Sequence, residues 1–524
     1  MKNKSNNVLI FFALFIWLTT ACTKQLKDDY YNPDNSQNAS IESLFGKFST
    51  LSRYHMQYWD LYTFQTSTIA VYSQVFGYQN VPNRYTPSDN YVLDHWNRFY
   101  TEILPLYRDM EKRFEALDES LQKDYKHMMA AADAIMFNEL SKKTDIWGDI
   151  PFSEAGYLRS ENQIIFPKFD SQKDIYSFMI ERLRDNARFF ATNQQATNLA
   201  QNLLNKYDFI YNGRITGWQK FTNSLRLRFL TRITNSAEME PTAKQEIISI
   251  LDNPIENPLI EENADNALIA SNGPNLFAID HQHEGGPRGG FSGVLAGKAM
   301  LDVLNRDDFT DPRLRTLFSK NLNGNYAGLN PLQPNTVEVL DSLENNLYSY
   351  IDSTTFRFNN FLPGVLFTAS ETHFLKSELL QGTLAENAFK QGIKLSIDWY
   401  YYVRNLNTKN NDKEVGTLTL PTSDEKELVA LYYLTNYYHQ ANIGKAAAIG
   451  IQRWIHFGPL QIYEAWSDMR RYKHPKLEYL KDAGTVPDPI NRFKYPSKEY
   501  ADNFNMSQQV KDNDNFYAKV WWAD

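Results

Sequence analysis

The sequence contains a single cysteine, Cys22, among its 524 residues. One cysteine excludes an intramolecular disulfide framework and any metal site that needs several thiolate ligands. An excess of positive charge is also missing, because 54 Lys and Arg residues stand against 62 Asp and Glu residues, which gives a net charge of −8. The composition therefore gives no sign of the concentrated basic face that nucleic-acid binding requires.

Long apolar runs are nearly absent. The longest, residues 8–18, has about 11 residues, whereas a membrane-spanning helix needs about 20. A short apolar run behind a basic N-terminus is typical of a secretory signal peptide. It is followed by Ala21 and Cys22, and this ending resembles a bacterial lipobox, although Leu18 lies four residues before the cysteine instead of the usual three. We predict that residues 1–21 are a lipoprotein signal peptide and that Cys22 is the lipidation site.

The next segment, residues 22–40, is polar and poor in aliphatic side chains. Such a composition favours a flexible tether. No later segment approaches the length of a membrane span, so the rest of the chain is expected to form an anchored soluble domain. Length alone would allow two to four domains or one large architecture.

Hydrophobic residues recur at helical spacing over much of the chain, for example from Ile175 to Phe190 and from Trp218 to Ile233. Ser171 with Asp174 resembles a capping box at the start of the first of these helices. In the second helix, the basic side chains of Arg226, Arg228 and Arg232 are interpreted as solvated or internally paired rather than as an anion site.

Helical pairs are the second expected feature. Residues 366–380 predict one helix that ends at Gly382, and Thr383 with Glu386 predicts the capped start of the next. Comparable pairs are expected at 41–75, 96–141 and 425–457, and they resemble tetratricopeptide units without a regular 34-residue repeat. The fold class predicted is mostly α, with helical hairpins and few short strands. Long loops, which often carry function, are expected at 77–94, 261–294, 321–363 and 474–524.

Catalytic signatures are missing. The sequence has no HExxH motif, no GxSxG motif and no P-loop, since Gly297-Lys298 is followed by Ala299. His281 and His283 lack a convincing third metal ligand. We therefore predict no catalytic residue, no metal and no cofactor.

Several segments, in chain order, resemble those of one family. They are residues 144–155 (TDIWGDIPFSEA, with Trp147 where tyrosine is common), 169–172 (FDSQ), 218–228 (WQKFTNSLRLR), 311–314 (DPRL), 452–454 (QRW), 464–471 (EAWSDMRR) and 492–496 (RFKYP). Together, behind a lipobox, they resemble the SusD/RagB family of nutrient-binding outer-membrane lipoproteins of the starch-utilisation type. The residues themselves suggest a structural role: turn residues fix a chain reversal, and Trp466 packs inward beside paired acids and arginines.

The resemblance implies a single α-helical domain over 41–524, in which tetratricopeptide-like hairpins support a loop-rich ligand-binding face. It also implies a lipid anchor in the outer membrane, with the domain facing the cell exterior. Members bind oligosaccharides or, in some cases, peptides, perform no chemistry and pass the ligand to a SusC-like TonB-dependent transporter. Glycan capture is therefore the expected function. The alternatives are a peptide or other nutrient binder in the same role, a helical-repeat scaffold, or an unrecognised hydrolase.

Aromatic residues make up 14% of the chain, with 32 Tyr, 33 Phe and 10 Trp. Most are expected in the core, but a sugar site also needs exposed aromatic faces beside hydrogen-bonding groups. Loops 77–94 and 281–294 carry that mixture, whereas Trp96 is expected in the core. The predicted ligand-binding residues are Trp59, Tyr78, Tyr85 and Tyr91 for stacking, Asn83 and Arg84 as hydroxyl partners, and Arg288 and Phe291 from the second loop.

Overall fold

The computed structural model describes residues 39–161, 164–270, 286–411 and 413–523. The predicted signal peptide, Cys22, most of the predicted tether and the two histidines at 281 and 283 lie outside the described residues. Among the residues described, no helix is both long enough and apolar enough to cross a membrane.

Helices dominate the described chain. Those of seven residues or more are α1 (Ile41–Ser49), α2 (Asp89–Arg98), α3 (Leu104–Glu115), α4 (Glu119–Trp147), α5 (Gln172–Thr192), α6 (Asn198–Tyr207), α7 (Ile215–Ile233), α8 (Glu240–Asp252), α9 (Lys298–Leu304), α10 (Val337–Glu344), α11 (Ala369–Leu379), α12 (Gly382–Asn405), α13 (Ser423–Tyr433), α14 (Gly444–Phe457) and α15 (Ile462–Tyr472). Shorter α-helices are Tyr58–Asp60, Ala70–Ser73, Leu158–Glu161, Gly286–Gly290, Leu314–Leu317, Ser497–Asp502 and Phe504–Gln509. Segments of π-helix are Leu61–Ile69, Phe99–Ile103, Ser353–Arg357 and Leu434–Tyr438, and 3₁₀ turns are Leu51–Met56, Asn263–Asp265, Lys511–Asn513 and Trp521–Ala523.

The strands are few and short, as predicted, and their pairing is antiparallel. They are β1 (Ala267–Ile269), β2 (Asn305–Arg306), β3 (Phe309–Thr310), β4 (Gly364–Phe367), β5 (Lys409–Asn410) and β6 (Lys413–Glu414). Strand β1 pairs with β4 across an irregularity between Ala267 and Leu268, while β2–β3 and β5–β6 form hairpins.

Three of the predicted hairpins are found: α11 packs on α12, α3 on α4, and α14 on Leu434–Tyr438, the π-helical continuation of α13. The pair predicted at 41–75 is wrong, because α1 packs mainly on α3 and α4. Further pairs are α14 with α15 and α5 with α7. The helix starts follow local capping chemistry, since the Ser171 hydroxyl accepts the backbone N–H of Asp174 at the start of α5. One boundary prediction was wrong: α12 begins at Gly382 with Gln381 as its N-cap, so neither a stop at Gly382 nor a cap at Thr383 occurs.

All four predicted loops contain helical segments. In 261–294 and 474–524 the described helices are short, such as Gly286–Gly290 and Ser497–Asp502. Helix α2 begins within 77–94, and α10 with the π-helical turn Ser353–Arg357 lies within 321–363. The first of these loops is therefore reduced to residues 77–88.

A buried charge network joins four helices in the core. The Arg228 guanidinium donates two hydrogen bonds of 2.6 Å to Glu371, and its Nη1 lies 3.4 Å from Glu464 Oε1. Arg232 donates to Glu464 at 2.6 Å and to Asp145 at 2.5 Å. Burial raises the pKa of Glu464, but the two guanidinium charges outweigh it and hold the pKa at about 2. The internally paired interpretation of these arginines is confirmed.

The segments that carry the family resemblance lie in this scaffold. Asp170 accepts the backbone N–H groups of Phe152 (2.9 Å) and Ser153 (2.7 Å), which fixes the chain reversal after α4. Trp147 is fully buried and its indole N–H donates to the carbonyl of Lys494 at 3.1 Å. Trp466 is 3% exposed and contacts Arg470, whose guanidinium lies 3.8 Å from the ring centre. These residues therefore act through packing, as predicted.

Candidate functional site

Four aromatic rings form a cluster at the surface beside the loop 77–88. Tyr58 and Tyr62 stack with ring centres 5.2 Å apart and planes 12° from parallel. Trp59 meets Tyr91 edge-on at 6.0 Å. Trp59 is 45% exposed and Tyr62 is 44% exposed. We call Tyr58, Trp59, Tyr62 and Tyr91 the aromatic patch.

The helical periodicity of residues 58–69 explains this exposure. Tyr58 and Tyr62 are four residues apart and so share a face, while Asp60, Leu61 and Phe64 point into the protein and are buried. Tyr91 comes from the neighbouring helix α2 and completes the cluster. One side of this short helical segment is thus core and the other is aromatic surface.

Polar groups surround the patch. The Trp59 indole N–H donates to the carboxylate of Asp94 at 3.3 Å. Arg98 donates to the Gln57 side-chain oxygen at 3.5 Å and lies 3.4 Å from Glu102. A carboxylate, an amide and a guanidinium next to exposed rings form the mixture of groups that a sugar requires.

A buried network of titratable side chains supports the patch from below. Asp60 accepts hydrogen bonds from His55 at 3.2 Å, Gln65 at 2.6 Å and the Tyr463 hydroxyl at 2.9 Å, and it lies 3.0 Å from His95 Nδ1. Because Asp60 follows Trp59 and His95 follows Asp94, these contacts fix the backbone at both members of the exposed Trp59–Asp94 pair.

The two histidines of this network have pKa values shifted in opposite directions. Burial, with repulsion from Lys143, lowers the pKa of His95 to about 3. For His55, the negative charge of Glu139 and the hydrogen bonds to Asp60 and Glu139 outweigh burial and the nearby Lys142, so its pKa is raised. Burial also raises the pKa of Asp60, but the two histidines outweigh it and the pKa lies well below the usual value. At neutral pH, Asp60 is a carboxylate and His95 is neutral.

The structure separates the predicted ligand-binding residues of the first loop into two groups. Trp59 and Tyr91 lie together in the aromatic patch. Tyr78 and Tyr85 do not: they are 7% and 1% exposed, with their hydroxyls 3.5 Å apart. The Tyr85 hydroxyl donates to the carbonyl of Leu480 at 2.9 Å. Because these two rings pack the loop onto the protein, they do not offer the exposed faces on which their predicted stacking role depends.

Asn83 and Arg84 serve the same anchoring. The backbone N–H of Asn83 donates to Asp482 at 3.1 Å, the N–H of Arg84 donates to the same carboxylate, and Asn83 adopts the left-handed conformation with φ 62°. The Arg84 guanidinium covers the Tyr78 ring at 5.0 Å. The Asn83 side chain is exposed, so its predicted role as a hydroxyl partner stays a prediction.

The second loop is also divided. Phe291 is 1% exposed and packs between Phe76 and Phe356, so its ring is not available to a ligand. Arg288 is exposed, lies over the Phe358 ring at 5.4 Å and donates to Asn411 at 3.1 Å. Its short helix, Gly286–Gly290, packs against the helical segment that carries the aromatic patch. The approach is close, because a Cβ on Gly290 would lie 2.5 Å from that of Leu61.

Tyr58 and Tyr62 are members of the patch that the sequence reasoning missed. The sequence contained a usable signal, because Tyr58, Trp59 and Tyr62 lie within about one helical turn and three such neighbours cannot all face the core. No group of three or more possible metal ligands is found in the described part of the chain.

Comparison with known proteins places the chain in a class. A SusD-like family model, described as starch-binding and associating with the outer membrane, matches residues 37–496. The chain therefore belongs to the SusD-like family, as its motifs indicated. No curated protein matches the sequence.

Solved structures agree with this fold. A chitin-binding protein shares 21% identity with a TM-score of 0.70, over 92% of this chain and 100% of that one. A chitin-binding SusD homologue from Flavobacterium johnsoniae has 19% identity and a TM-score of 0.67, over 92% and 98%. A SusD homologue from Bacteroides fragilis has 17% identity and a TM-score of 0.68, over 93% and 100%. The mostly α-helical, tetratricopeptide-like architecture is thus confirmed.

Proposed function

We propose that this protein is a surface glycan-binding lipoprotein that captures oligosaccharides on the aromatic patch and performs no chemistry on them. The observation that carries the proposal is the exposure of Trp59 and Tyr62 on a segment whose other side is buried. Exposed rings held rigidly from below, with Asp94 and Arg98 beside them, match the apolar faces and hydroxyls of a sugar. The starch-binding description of the family and the chitin-binding neighbours support the same ligand class.

The test is binding to a panel of starch and chitin oligosaccharides, measured by calorimetry with product analysis. Trp59→Ala removes a stacking face worth about 0.5–1.5 kcal/mol, so affinity should fall up to about tenfold. Tyr517→Ala is the matched control, because Tyr517 is also 45% exposed but lies in the C-terminal segment. Binding that survives Trp59→Ala and Tyr62→Ala together would place the site elsewhere, and sugar release would indicate a hydrolase. Binding to peptides instead of sugars would favour the alternative ligand class.

We also propose that Cys22 carries the lipid anchor in the outer membrane, that the domain faces the cell exterior and that the ligand passes to a SusC-like TonB-dependent transporter. Residues 22–40 would serve as the tether between anchor and domain. More than one acyl chain gives stable anchoring, because each buried CH₂ contributes about 0.8 kcal/mol. Cys22→Ala should move the protein out of the membrane fraction or leave it unprocessed, and unchanged fractionation would contradict the anchor. Co-purification of a large β-barrel with the wild-type protein would test the transporter partner.

A further inference from the structure

A cavity of about 860 Å³ opens at the surface between helix α13 and the β2–β3 hairpin. Its lining shares no residue with the aromatic patch. Ligand pockets in proteins commonly have volumes of about 300–1,000 Å³. The cavity is therefore large enough to hold a small organic ligand or a segment of a longer one.

Aromatic side chains form one wall of this cavity. The rings of Phe309 and Tyr432 stack with centres 3.6 Å apart and planes 4° from parallel. Both rings are half-buried, as is the ring of Tyr326, which lines the same cavity. At the mouth, Leu428 is 67% exposed. Partly exposed rings around a concave surface are typical of ligand sites.

Hydrogen-bonding groups occur beside these rings. Arg315 donates from Nε to the Tyr401 hydroxyl and from Nη2 to the carbonyl of Thr419 at 3.1 Å, which holds the guanidinium at the cavity. Among the described residues, neither its Nη1 nor the Tyr326 hydroxyl makes a hydrogen bond. Glu425 accepts the backbone N–H of Thr422 at 2.7 Å through Oε2, and its Oε1 makes no hydrogen bond within the described chain.

This combination favours a sugar over a purely apolar occupant. A sugar ring has apolar C–H faces for Tyr326 and Tyr432, and its hydroxyls can accept from Arg315 and donate to Glu425. An apolar peptide side chain would cover the same rings but would leave the guanidinium and the carboxylate without partners as it displaced their water. The chemistry of the lining therefore selects a polyhydroxylated ligand.

Residues 411–419 run from a contact of Arg288, near the aromatic patch, to the lining of the cavity. Arg288, whose helix packs beside the patch, donates to Asn411, and Thr419 lines the cavity. Thr419 follows Asn411 by eight positions, so their Cα atoms are at most about 29 Å apart. The cavity end of the segment is held by Asn405, whose side chain exchanges hydrogen bonds of 2.9 and 2.8 Å with Leu418.

We propose that this cavity is a second glycan-binding site, which takes sugar units of the same chain that the aromatic patch binds. The inference rests on the proposed function, because it assigns the same ligand class to both sites. Two linked contacts on one polymer raise the apparent affinity through effective concentration. Long glycan chains should therefore bind more tightly than short ones that reach only the patch.

The experiment compares short and long members of the maltose and chitin oligosaccharide series, together with soluble starch and glycol chitin. Tyr326→Ala removes one ring from the cavity, Tyr326→Phe removes only its hydroxyl, and Leu322→Ala is the control, because Leu322 is 74% exposed on the same segment and does not line the cavity. Glu425→Gln is an independent variant that keeps the helix cap, since glutamine also serves in a capping box. Melting temperatures establish that each variant is folded.

The expected result is that Tyr326→Ala leaves the binding of short oligosaccharides unchanged and weakens the binding of long chains by about tenfold or more, within the range that linked sites can supply. Tyr326→Phe and Glu425→Gln should have smaller effects in the same direction, and Leu322→Ala should have none. If Tyr326→Ala does not fold, Glu425→Gln decides the outcome.

Equal affinities of wild type and folded cavity variants for long chains would overturn the second site while leaving the proposed function intact. If the wild-type protein binds no member of either series, both proposals fail. Binding of an apolar peptide, but no sugar, in the cavity would also overturn the inference.

Discussion

The aromatic patch and the core around Trp147, Trp466 and Arg228 use similar residue types for different purposes. In the core, the aromatic rings of Trp147 and Trp466 are buried and Arg228 is paired with Glu371. In the patch, the rings of Trp59 and Tyr62 keep nearly half of their surface exposed. The motifs that define the family belong to the core, and none of the four patch residues lies in them. Under the proposed function, family membership and ligand choice would therefore depend on separate regions of the chain.

The largest effect should come from removing a charge in the buried network. Arg228→Ala would leave Glu371 buried without its main partner and would remove one of the two arginines that pair with Glu464, and such a loss costs about 3–5 kcal/mol. The control is Arg188→Ala, because the Arg188 side chain is 73% exposed and its pairing with Asp185 is worth about 0–1 kcal/mol. Denaturant unfolding would measure both changes. Similar free energies of unfolding for the two variants would show that the buried charge network does not stabilise the fold.

A second comparison sets one tryptophan against another. Trp466→Ala should cost about 3–5 kcal/mol, because the ring is buried and its removal leaves a cavity. Trp59→Ala should change the free energy of unfolding by no more than about 0.5 kcal/mol, as is usual for exposed positions, while it weakens glycan binding. Melting curves and calorimetry on both variants would separate the two regions. A folded Trp466→Ala protein that keeps its melting temperature and loses ligand would reverse the assignment.

Acid should weaken the network that lies beneath the patch. The pKa of His95 is about 3 in the folded protein. Below about pH 6.5, the imidazole of His95 therefore binds a proton in the unfolded chain, whereas in the folded protein it stays neutral until the pH approaches 3. Stability therefore falls as the pH drops from about 6.5 toward 3, by up to about 1.4 kcal/mol per pH unit for one proton. His55 does not oppose this trend, because its raised pKa gives stability that is fully present below pH 6.5 and is lost only as the pH rises through the folded value. Asp60, with its lowered pKa, adds a further loss below about pH 4.

His95→Phe tests this assignment. Phenylalanine keeps a ring against Phe64, which His95 stacks on at 3.9 Å, and it removes the titrating group. The melting temperature of the variant should depend less steeply on pH between 6.5 and 3 than that of the wild type. An unchanged slope would mean that other groups govern acid sensitivity.

The sequence was sufficient for the scaffold because its signals are local. The helical periodicity of 218–233 and the Ser171 cap both depend on neighbours within a turn or two. Helix boundaries were predicted less accurately, because the sequence predicts a helix end at Gly382, where the next helix begins instead. Exposure of single aromatic rings could not be predicted in the same way. Tyr85 and Tyr91 lie six residues apart in similar stretches of sequence. Tyr85 is buried by contacts with residues 480–482, far along the chain, whereas Tyr91 stays at the surface.

The smallest effect is expected from variants that compare Tyr85, which packs the loop onto the protein, with Tyr91, which belongs to the aromatic patch. Tyr85→Phe keeps the buried ring but removes the hydroxyl that donates to the carbonyl of Leu480, so the free energy of unfolding should fall by about 0.5–1.5 kcal/mol. Glycan affinity should stay within about twofold of the wild type, because the hydroxyl faces the protein. The matched variant Tyr91→Phe removes a hydroxyl from the patch itself and should leave stability unchanged while it lowers affinity wherever that hydroxyl contacts the sugar. A Tyr85→Phe variant with unchanged stability and weakened binding would return Tyr85 to the ligand site, and would show that the loop 77–88 opens when glycan binds.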